Sequence, residues 1–332
     1  MPLERQTLSI ALPVYNGANF LREALDSILA QDFARFEVVV SDNASTDETP
    51  RILEEFARKD VRIRVFRTEE FLPQQDNVNR AVDLCSSEWV KLFCHDDLMK
   101  PDCLKIINDT ICSSCPETVG LIGNGDAWLF GNGYIHQTRL VGSPTVEQYH
   151  GRELVLQMLN GKNKCGLPAL TTATVRKTAW NASRKFNRDF IHFDVFLWVE
   201  LLLHWDYVCV NQPITINRIH SAQVAASARK SCRSIHESRQ FYRWFIQNYH
   251  AELNAGWLIR AKTWARWVAT AGTLIATKIL RKDFAGACAI VSEVPPHCFV
   301  MLPFFIARTV FRERHKLKSL RGHVPVSLIY PE

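Results

Sequence analysis

The hydrophobic positions in the first third of the chain alternate between two periods. Short apolar runs predict β-strands at residues 8–14, 36–40, 61–66 and 89–93. Between them, apolar residues recur three and four positions apart, which predicts helices within residues 20–29, 45–56, 77–84 and 101–113. Strands and helices that alternate at this pace indicate βαβ units and a mainly parallel sheet flanked by helices.

The rest of the chain shows looser patterns. Residues 123–144 are glycine-rich and predict a loop with short strands, whereas the apolar spacing from residue 229 onward is helical. We therefore expect an α/β domain over residues 1–228 and a helical region over residues 229–332. The first region is also expected to contain helices at 152–159 and 194–204, and strands at 169–175, 207–210 and 215–219.

Charge is unevenly distributed between these regions. Residues 229–332 contain 17 Lys and Arg against 6 Asp and Glu, and aromatic residues lie among the basic ones. Three interpretations are open: an interfacial surface on anionic lipid, the solvated face of a helical bundle, or a nucleic-acid surface, for which no binding motif is present. We favour an anionic membrane surface and expect no nucleic-acid partner.

No segment predicts export or a membrane span. The first residues lack a signal-peptide pattern, and the charge-free stretch 294–307 is shorter than the roughly 18 residues of a spanning helix. The ten cysteines show no paired zinc-site spacing, so we expect them to be reduced and mostly buried. The protein is expected to be cytoplasmic, with the helical region as its contact with the cytoplasmic face of the membrane.

Polar residues follow three of the predicted strands at the point where each strand ends. They lie at residues 13–16, 41–43 and 95–97. Ligands of parallel α/β sheets bind beyond the carboxyl ends of the strands, so these residues are expected to line one crevice. The adjacent carboxylates Asp96 and Asp97 are costly there unless a cation or hydrogen-bond donors neutralise them. The lack of GxGxxG and GxxxxGK(S/T) motifs disfavours a dinucleotide-binding Rossmann enzyme and a P-loop protein.

Five segments stand in order along the chain: LSIALPVYNGANFLREALDSILAQ, FEVVVSDNASTDET, SSEWVKLFCHDDLMKPDCL, FDVFLWVEL and INRIHSAQ. Together they resemble the family 2 glycosyltransferases of the GT-A fold, of the type that builds cell-envelope polysaccharides, over roughly residues 7–225. The resemblance implies a Rossmann-like, mainly parallel sheet flanked by helices, with a C-terminal helical extension.

By this resemblance, four residues hold the base and ribose of a nucleotide-sugar donor: Pro13, Tyr15, Asn16 and Asp42. A carboxylate at the end of the second strand can accept hydrogen bonds from a base N–H or a ribose hydroxyl. Considered alone, Asp42 would be a turn or cap residue, and its expected convergence with the acidic pair favours the binding role.

The same resemblance places His95, Asp96 and Asp97 at the family's acidic cluster. Asp97 is assigned as a ligand of Mg²⁺ or Mn²⁺, and Asp96 as its helper through water or the ribose. Such a cation neutralises a diphosphate leaving group. His95 departs from the commonest pattern, so its role is left open. His220 is expected to contact the metal and Arg218 the diphosphate, with a structural histidine as the alternative.

Asp194 begins the apolar helix and falls where the family carries its general base. A carboxylate there would take the proton of the acceptor hydroxyl as its oxygen attacks the anomeric carbon. Capping the helix is an alternative and compatible role. Phe193 stands where a second acid is common, so Asp189 and Glu200 are the substitutes to test.

These assignments imply an inverting, metal-dependent glycosyltransferase of cell-envelope or exopolysaccharide synthesis. Its donor would be a nucleoside diphosphate sugar, and its acceptor a saccharide or lipid-linked saccharide lying beside Thr171 and Thr172. One alternative is a sugar-1-phosphate nucleotidyltransferase, which needs a glycine-rich phosphate loop where PVYNGANF stands. The other is a non-catalytic relative acting as a binding subunit, which the departures at His95 and Phe193 allow.

Overall fold

A computed structural model describes residues 8–131, 133, 135–137, 145–160, 165–186 and 193–220, with the single residues 240, 244, 245, 247 and 275. The chain divides into two compact units, Met1–Gln223 and Val224–Glu332. The predicted boundary between residues 228 and 229 stays a prediction. Apart from those single residues, the predicted C-terminal helical region lies outside the described residues. Among the described residues, no helix is long and apolar enough to cross a membrane.

The order of the elements matches the predicted alternation. The strands are β1 Leu8–Val14, β2 Phe36–Asp42, β3 Ile63–Arg67, β4 Trp89–Leu92, β5 Leu98–Met99, β6 Val119–Leu129, β7 Ile135–Gln137, β8 Val146–Tyr149, β9 Ala173–Arg176 and β10 Asp206–Arg218. The helices are α1 Ala18–Leu29, α2 Thr49–Lys59, α3 Gln74–Asp83, α4 Cys103–Ser114, α5 Gly151–Asn160, α6 Lys177–Ala182 and α7 Phe193–Leu202. A 3₁₀ turn at Leu170–Thr172 precedes β9.

The described strands form one sheet in the order β3-β2-β1-β4-β9-β6-β10-β5, with β7 beside β6 and β8 beside β10. The pairs among β1 to β4 are parallel, as is the long pair of β6 and β10, so the predicted mainly parallel sheet is confirmed. Antiparallel pairs are added by β5, β7, β8 and β9. Strand β9 lies between β4 and β6 and therefore joins the two parallel groups.

Several predicted elements differ in extent from the structure. The strand predicted at 169–175 is the 3₁₀ turn followed by β9, which begins at Ala173. The strands predicted at 207–210 and 215–219 are one strand, β10, whose register against β6 shifts on either side of Pro213. Proline lacks the N–H that an unbroken ladder of hydrogen bonds between strands requires, and for this reason the sequence pattern predicted two separate strands. Part of the predicted loop at 123–144 belongs to β6. Helix α2 begins at Thr49, and the Asp47 carboxylate accepts a hydrogen bond from the Thr49 N–H at 2.9 Å.

The amino end of the sheet is held by a buried carboxylate. Glu37 in β2 is 2% exposed. It accepts hydrogen bonds from the Ser9 hydroxyl, from the N–H and hydroxyl of Ser86, and from the Arg64 guanidinium, at 2.6–2.7 Å. Burial raises the pKa of Glu37, but these hydrogen bonds outweigh burial, and the net pKa lies below its usual value. One anion thereby ties β1, β2, β3 and the segment before β4.

Replacing this carboxylate should destabilise the fold in a pH-dependent way. Glu37→Gln removes the charge that Arg64 and Ser86 face, and we expect it to lower the free energy of unfolding at pH 7 by about 1–3 kcal/mol. Because the folded pKa is depressed, this stabilisation is present above pH 4.5 and is lost as the pH falls through the folded pKa. Urea unfolding at pH 7 and pH 3.5 should show the difference shrinking on acidification. Glu54→Gln, at an exposed ion pair, is the control, and an equal loss in both variants would contradict the assignment.

Candidate functional site

The carboxyl ends of β1, β2 and β4 meet at one edge of the sheet. Val14 lies opposite Asp42, and Ala11 lies opposite Leu92, so all three strands end side by side. The segments that follow them are the three polar segments expected from the sequence. The structure thus brings the predicted crevice residues of the first half of the chain together.

The loops after β1 and β2 are joined by hydrogen bonds. The Asn16 N–H donates to the Ser45 hydroxyl at 3.0 Å, and its side-chain oxygen accepts from the Thr46 N–H at 2.8 Å. Asp42 is 1% exposed, and its carboxylate accepts from the Ser45 N–H at 3.1 Å and from Arg67 at 3.2 Å. These two contacts use part of the four acceptor positions of a carboxylate, so Asp42 is fixed in place with capacity for a ligand.

Two aromatic side chains form the outer rim of this loop pair. Tyr15 and Phe71 are 44% and 60% exposed, and their rings meet edge to face at 4.8 Å. Exposed aromatic rings beside a buried carboxylate suit a flat, polar-edged ligand such as a nucleotide base. Phe71 was not predicted, because a single aromatic residue in a loop carries no periodic signal.

The acidic cluster lies beyond β4. One possible ligand atom from each of Cys94, Asp96 and Asp97 lies within 4.8 Å of the others. Asp97 is 5% exposed, and its carboxylate accepts a hydrogen bond from the Arg218 N–H at 2.9 Å. Burial, together with the charge of Asp96, raises the pKa of Asp97 to about 7. Two carboxylates in this state fit a hard divalent cation, which prefers oxygen ligands.

Cys94 belongs to the cluster, although the sequence predicted only that the cysteines are reduced and mostly buried. Burial and the neighbouring carboxylates raise the pKa of its thiol well above the usual value. The thiol therefore stays protonated at neutral pH. A protonated thiol is a poor ligand for Mg²⁺ or Mn²⁺, so Cys94 borders the candidate metal site, for which the oxygens of Asp96 and Asp97 are the candidate ligands.

The structure gives His95 a supporting role. Its ring packs on Gly17, where an added Cβ would lie 2.5 Å from His95 Cδ2 and 2.7 Å from Val14 Cγ2. The ring also hydrogen-bonds to the Pro13 backbone, and burial lowers its pKa. His95 thus supports the turn between β1 and α1, which explains why a histidine can stand at this position of the cluster.

Arg218 and His220, at the end of β10, lie against the acidic pair. His220 Nε2 is 2.9 Å from Asp96 Oδ2. The Arg218 guanidinium donates to the Asp96 carbonyl at 3.0 Å and to Glu23 at 2.6 Å, and it lies 4.8 Å from the Phe20 ring centre. His220 therefore orients Asp96 in this structure. The predicted contacts of His220 with metal and of Arg218 with diphosphate stay predictions.

Asp194 lies in the first turn of α7, where its carboxylate accepts a hydrogen bond from the Val195 N–H at 2.9 Å. Its charge contributes to the raised pKa of Cys94, which places it within electrostatic reach of the acidic cluster. Phe193 is 6% exposed and packs edge to face on Phe186 at 4.8 Å. A second acid at that position would have to enter this aromatic cluster, which accounts for the departure from the family pattern.

The two substitutes for Asp194 differ in their surroundings. Glu200 accepts a hydrogen bond from the Arg184 N–H at 3.3 Å and pairs with the Arg184 guanidinium at 3.8 Å. It is therefore engaged with the loop after α6. Asp189 lies outside the described residues.

The 3₁₀ turn places Thr171 directly beneath the cluster. Thr171 and Thr172 are each 3% exposed. The Thr171 hydroxyl accepts a hydrogen bond from the Cys94 N–H at 3.4 Å. Its nearness to Asp97 lowers the pKa of that carboxyl against the effect of burial. The predicted position of both threonines beside an acceptor stays a prediction, and the contact with Asp97 was not foreseen.

The family relation follows from comparison with known proteins. Residues 9–148 match the model of glycosyl transferase family 2. These residues form a glycosyltransferase family 2 domain. The chain is 26% identical over 197 residues to a GalNAc(5)-diNAcBac-PP-undecaprenol beta-1,3-glucosyltransferase of Campylobacter jejuni, and that match covers 58% of the chain and 59% of the relative. The chain covers between 12% and 59% of the length of three curated relatives that it matches.

Solved structures of this type share the fold. The crystal structure of Staphylococcus aureus TarS 1-349 in complex with UDP-GlcNAc is 18% identical, with a TM-score of 0.62 over 95% of this chain and 91% of that one. A mannosyltransferase from Pyrobaculum calidifontis, in complex with GDP-Man and Mn²⁺, is 16% identical, with a TM-score of 0.56 over 97% of this chain and 89% of that one. The family 2 domain therefore has the predicted GT-A fold.

The raised pKa of Asp97 should be visible in the stability of the metal-free protein. A folded pKa of about 7 against an unfolded value near 3.8 means that the wild type loses stability as the pH rises through this window. Asp97→Asn lacks this loss, so we expect it to become the more stable form by a few kcal/mol at pH 8, since one pH unit of pKa difference corresponds to about 1.4 kcal/mol. Urea unfolding in EDTA from pH 4 to pH 8 measures this.

The control for that measurement is Asp32→Asn, at an exposed position. It should run parallel to the wild type over the whole pH range. Parallel curves for Asp97→Asn as well would show that Asp97 is not destabilised by burial beside Asp96.

Proposed function

We propose that the protein is an inverting, metal-dependent glycosyltransferase that transfers a sugar from a nucleoside diphosphate sugar to a hydroxyl acceptor. The observation that carries the proposal is the position of the Asp96–Asp97 pair at the same sheet edge as Asn16, after β1, and Asp42, at the end of β2. A nucleotide-binding loop pair beside a cation-accepting carboxylate pair matches the two ends of a nucleoside diphosphate. The family 2 domain supports this chemistry.

The donor would lie along the carboxyl edge of the sheet. The base would rest on the rim of Tyr15 and Phe71, with Asn16 and Asp42 accepting hydrogen bonds from base and ribose. Asp97, with Asp96 beside it, would hold Mg²⁺ or Mn²⁺, which supplies charge neutralisation for the departing diphosphate. The Pyrobaculum mannosyltransferase, which shares the fold and was solved in complex with GDP-Man and Mn²⁺, supports this arrangement.

Asp194 would act as the general base. It takes the proton of the acceptor hydroxyl while that oxygen attacks the anomeric carbon, and the bond from this carbon to the diphosphate oxygen breaks on the opposite face. One displacement of this kind inverts the anomeric centre. Its position in the first turn of α7 keeps the carboxylate in place, because its contact with the Val195 N–H fixes one oxygen.

The acceptor is proposed to be a saccharide or lipid-linked saccharide of the cell envelope. The Campylobacter relative's name specifies an undecaprenol-linked substrate, which supports this choice. Residues 229–332, with 17 basic against 6 acidic residues, would bring the enzyme to an anionic membrane surface on the cytoplasmic face.

Nucleotide binding should depend on metal and on Asp97. A ligand at about 100 times its Kd raises the free energy of unfolding by about 2.7 kcal/mol, which raises the Tm by several degrees. In the presence of Mn²⁺, we expect at least one of UDP, GDP and dTDP to raise the Tm of the wild type in this way. None of them should raise the Tm of Asp97→Asn, or of the wild type in EDTA. Thermal-shift titration measures this, with Asp32→Asn as the control variant.

Two outcomes of that titration would contradict the proposal. A response to nucleoside triphosphates alone would favour a sugar-1-phosphate nucleotidyltransferase. No response to any nucleotide would favour a non-catalytic binding subunit.

Asp194 should affect turnover and leave donor binding intact. Loss of a general base lowers kcat by about 10²–10⁴-fold, so we expect Asp194→Asn to show this loss with an unchanged Kd for the donor nucleotide. Sugar transfer or donor hydrolysis, profiled across UDP-, GDP- and dTDP-sugars, provides the rate. Glu200→Gln removes a carboxylate from the same helix and should stay near the wild-type rate. Near-normal turnover in Asp194→Asn would refute the assignment.

A further inference from the structure

Lys91 is a fully buried lysine in the middle of the sheet. It lies in β4 and is 0% exposed, among the apolar residues Trp89, Val90 and Leu92. Lysine is almost never completely buried unless its charge is compensated, because removing an ammonium group from water is costly. Its presence at this position therefore requires a local reason.

The ammonium group has three acceptors. It lies 2.5 Å from the Thr171 carbonyl, 3.3 Å from the Ala173 carbonyl and 3.3 Å from the Asn124 side-chain oxygen. Asn124 is fixed in turn by its own hydrogen bond to the Thr215 hydroxyl at 3.0 Å. Since an ammonium group has three donors, Lys91 is satisfied by the 3₁₀ turn, the start of β9 and one residue of β6.

The shortest of these contacts leads to the acidic cluster. Thr171, whose carbonyl Lys91 binds, accepts a hydrogen bond through its hydroxyl from the Cys94 N–H at 3.4 Å. The Cys94 carbonyl in turn accepts a hydrogen bond from the Asp97 N–H at 3.3 Å. Lys91 and Cys94 are three residues apart on the segment that leads out of β4. The turn is thus attached to this segment at two points, and the second point, Cys94, is joined to the backbone of Asp97.

A purely structural lysine in the same chain provides a comparison. Lys177 donates to the carbonyls of Val82, Asp83 and Cys85 at 2.5–3.0 Å, at the end of α3. Both lysines therefore bind an irregular backbone segment through several carbonyls. They differ in what the segment contacts, because the turn held by Lys91 hydrogen-bonds to Cys94, which borders the proposed metal site.

We propose that Lys91 is a positioning residue that holds the Leu170–Thr172 turn, so that the Thr171 hydroxyl fixes the Cys94 N–H and with it the short segment that presents Asp96 and Asp97 to the divalent cation. This inference rests on the proposed function, in which Asp97 is a metal ligand. Residues that orient a ligand from behind commonly change metal affinity about 10–100-fold when replaced. Lys91 acts here through geometry, since its ammonium hydrogen-bonds to the turn and the turn hydrogen-bonds to the segment that carries the ligands.

The test measures Mn²⁺ binding directly, by calorimetry and by the electron paramagnetic resonance signal of free Mn²⁺, in the full chain at pH 8 without nucleotide. We expect Lys91→Met to weaken Mn²⁺ binding by about 10–100-fold. Lys177→Met removes the same donors from the end of α3 and should lower the Tm without changing the Mn²⁺ affinity. An unchanged or tighter affinity in Lys91→Met would overturn the proposal, since loss of the buried positive charge alone strengthens cation binding.

A second pair of variants covers the case in which Lys91→Met fails to fold. Thr171→Val keeps the backbone carbonyl that Lys91 binds and removes the hydroxyl, so it should weaken Mn²⁺ binding by a similar factor. Thr171→Ser restores the hydroxyl and should restore the affinity. Wild-type affinity in Thr171→Val would overturn the proposal and leave the proposed function intact. An absence of Mn²⁺ binding in the wild type would overturn the metal assignment itself.

Discussion

The site depends on the burial of one carboxylate beside another. Asp97 is 5% exposed next to Asp96, and the chain has placed both at the end of a strand where solvent compensates little. The Arg218 N–H donates to Asp97 and holds it in place, but burial beside Asp96 still raises the pKa of Asp97 to about 7. A carboxyl in this condition is stabilised by a proton or a cation. The rest of the site, from the turn beneath Asp97 to the end of β10, serves to keep it there.

The opposite end of the sheet shows what the same fold does with a structural carboxylate. Glu37 is as deeply buried as Asp97, but its donors from Ser9, Ser86 and Arg64 lower its pKa. The pKa values of two buried acids in one sheet are therefore shifted in opposite directions. Glu37 is surrounded by hydrogen-bond donors, whereas Asp97 is buried beside a like charge. Such an under-compensated group in a crevice is typical of a functional site. The contrast within one sheet strengthens this interpretation of Asp97.

The features that the sequence could predict are those set by local pattern. The order of β1 to β4 with their helices follows from hydrophobic period, and the edge position of residues 13–16, 41–43 and 95–97 follows from the rule for parallel strands. The structure brings these segments together as expected. Asp194 could be placed at the start of an apolar helix for the same reason. Its role required the family resemblance, because an acid at that position is also an ordinary cap.

The features that the sequence could not predict depend on pairing between distant segments. Lys91 is one polar residue in an apolar strand, and its strongest acceptor, the Thr171 carbonyl, lies 80 positions away. The contact exists because β9 inserts antiparallel between β4 and β6, which brings the preceding turn under the acidic cluster. Cys94 and His95 likewise acquire their roles from neighbours across the sheet edge. The carboxylates can be recognised along the chain, whereas the geometry that makes them usable comes from the strand that joins the two parallel groups.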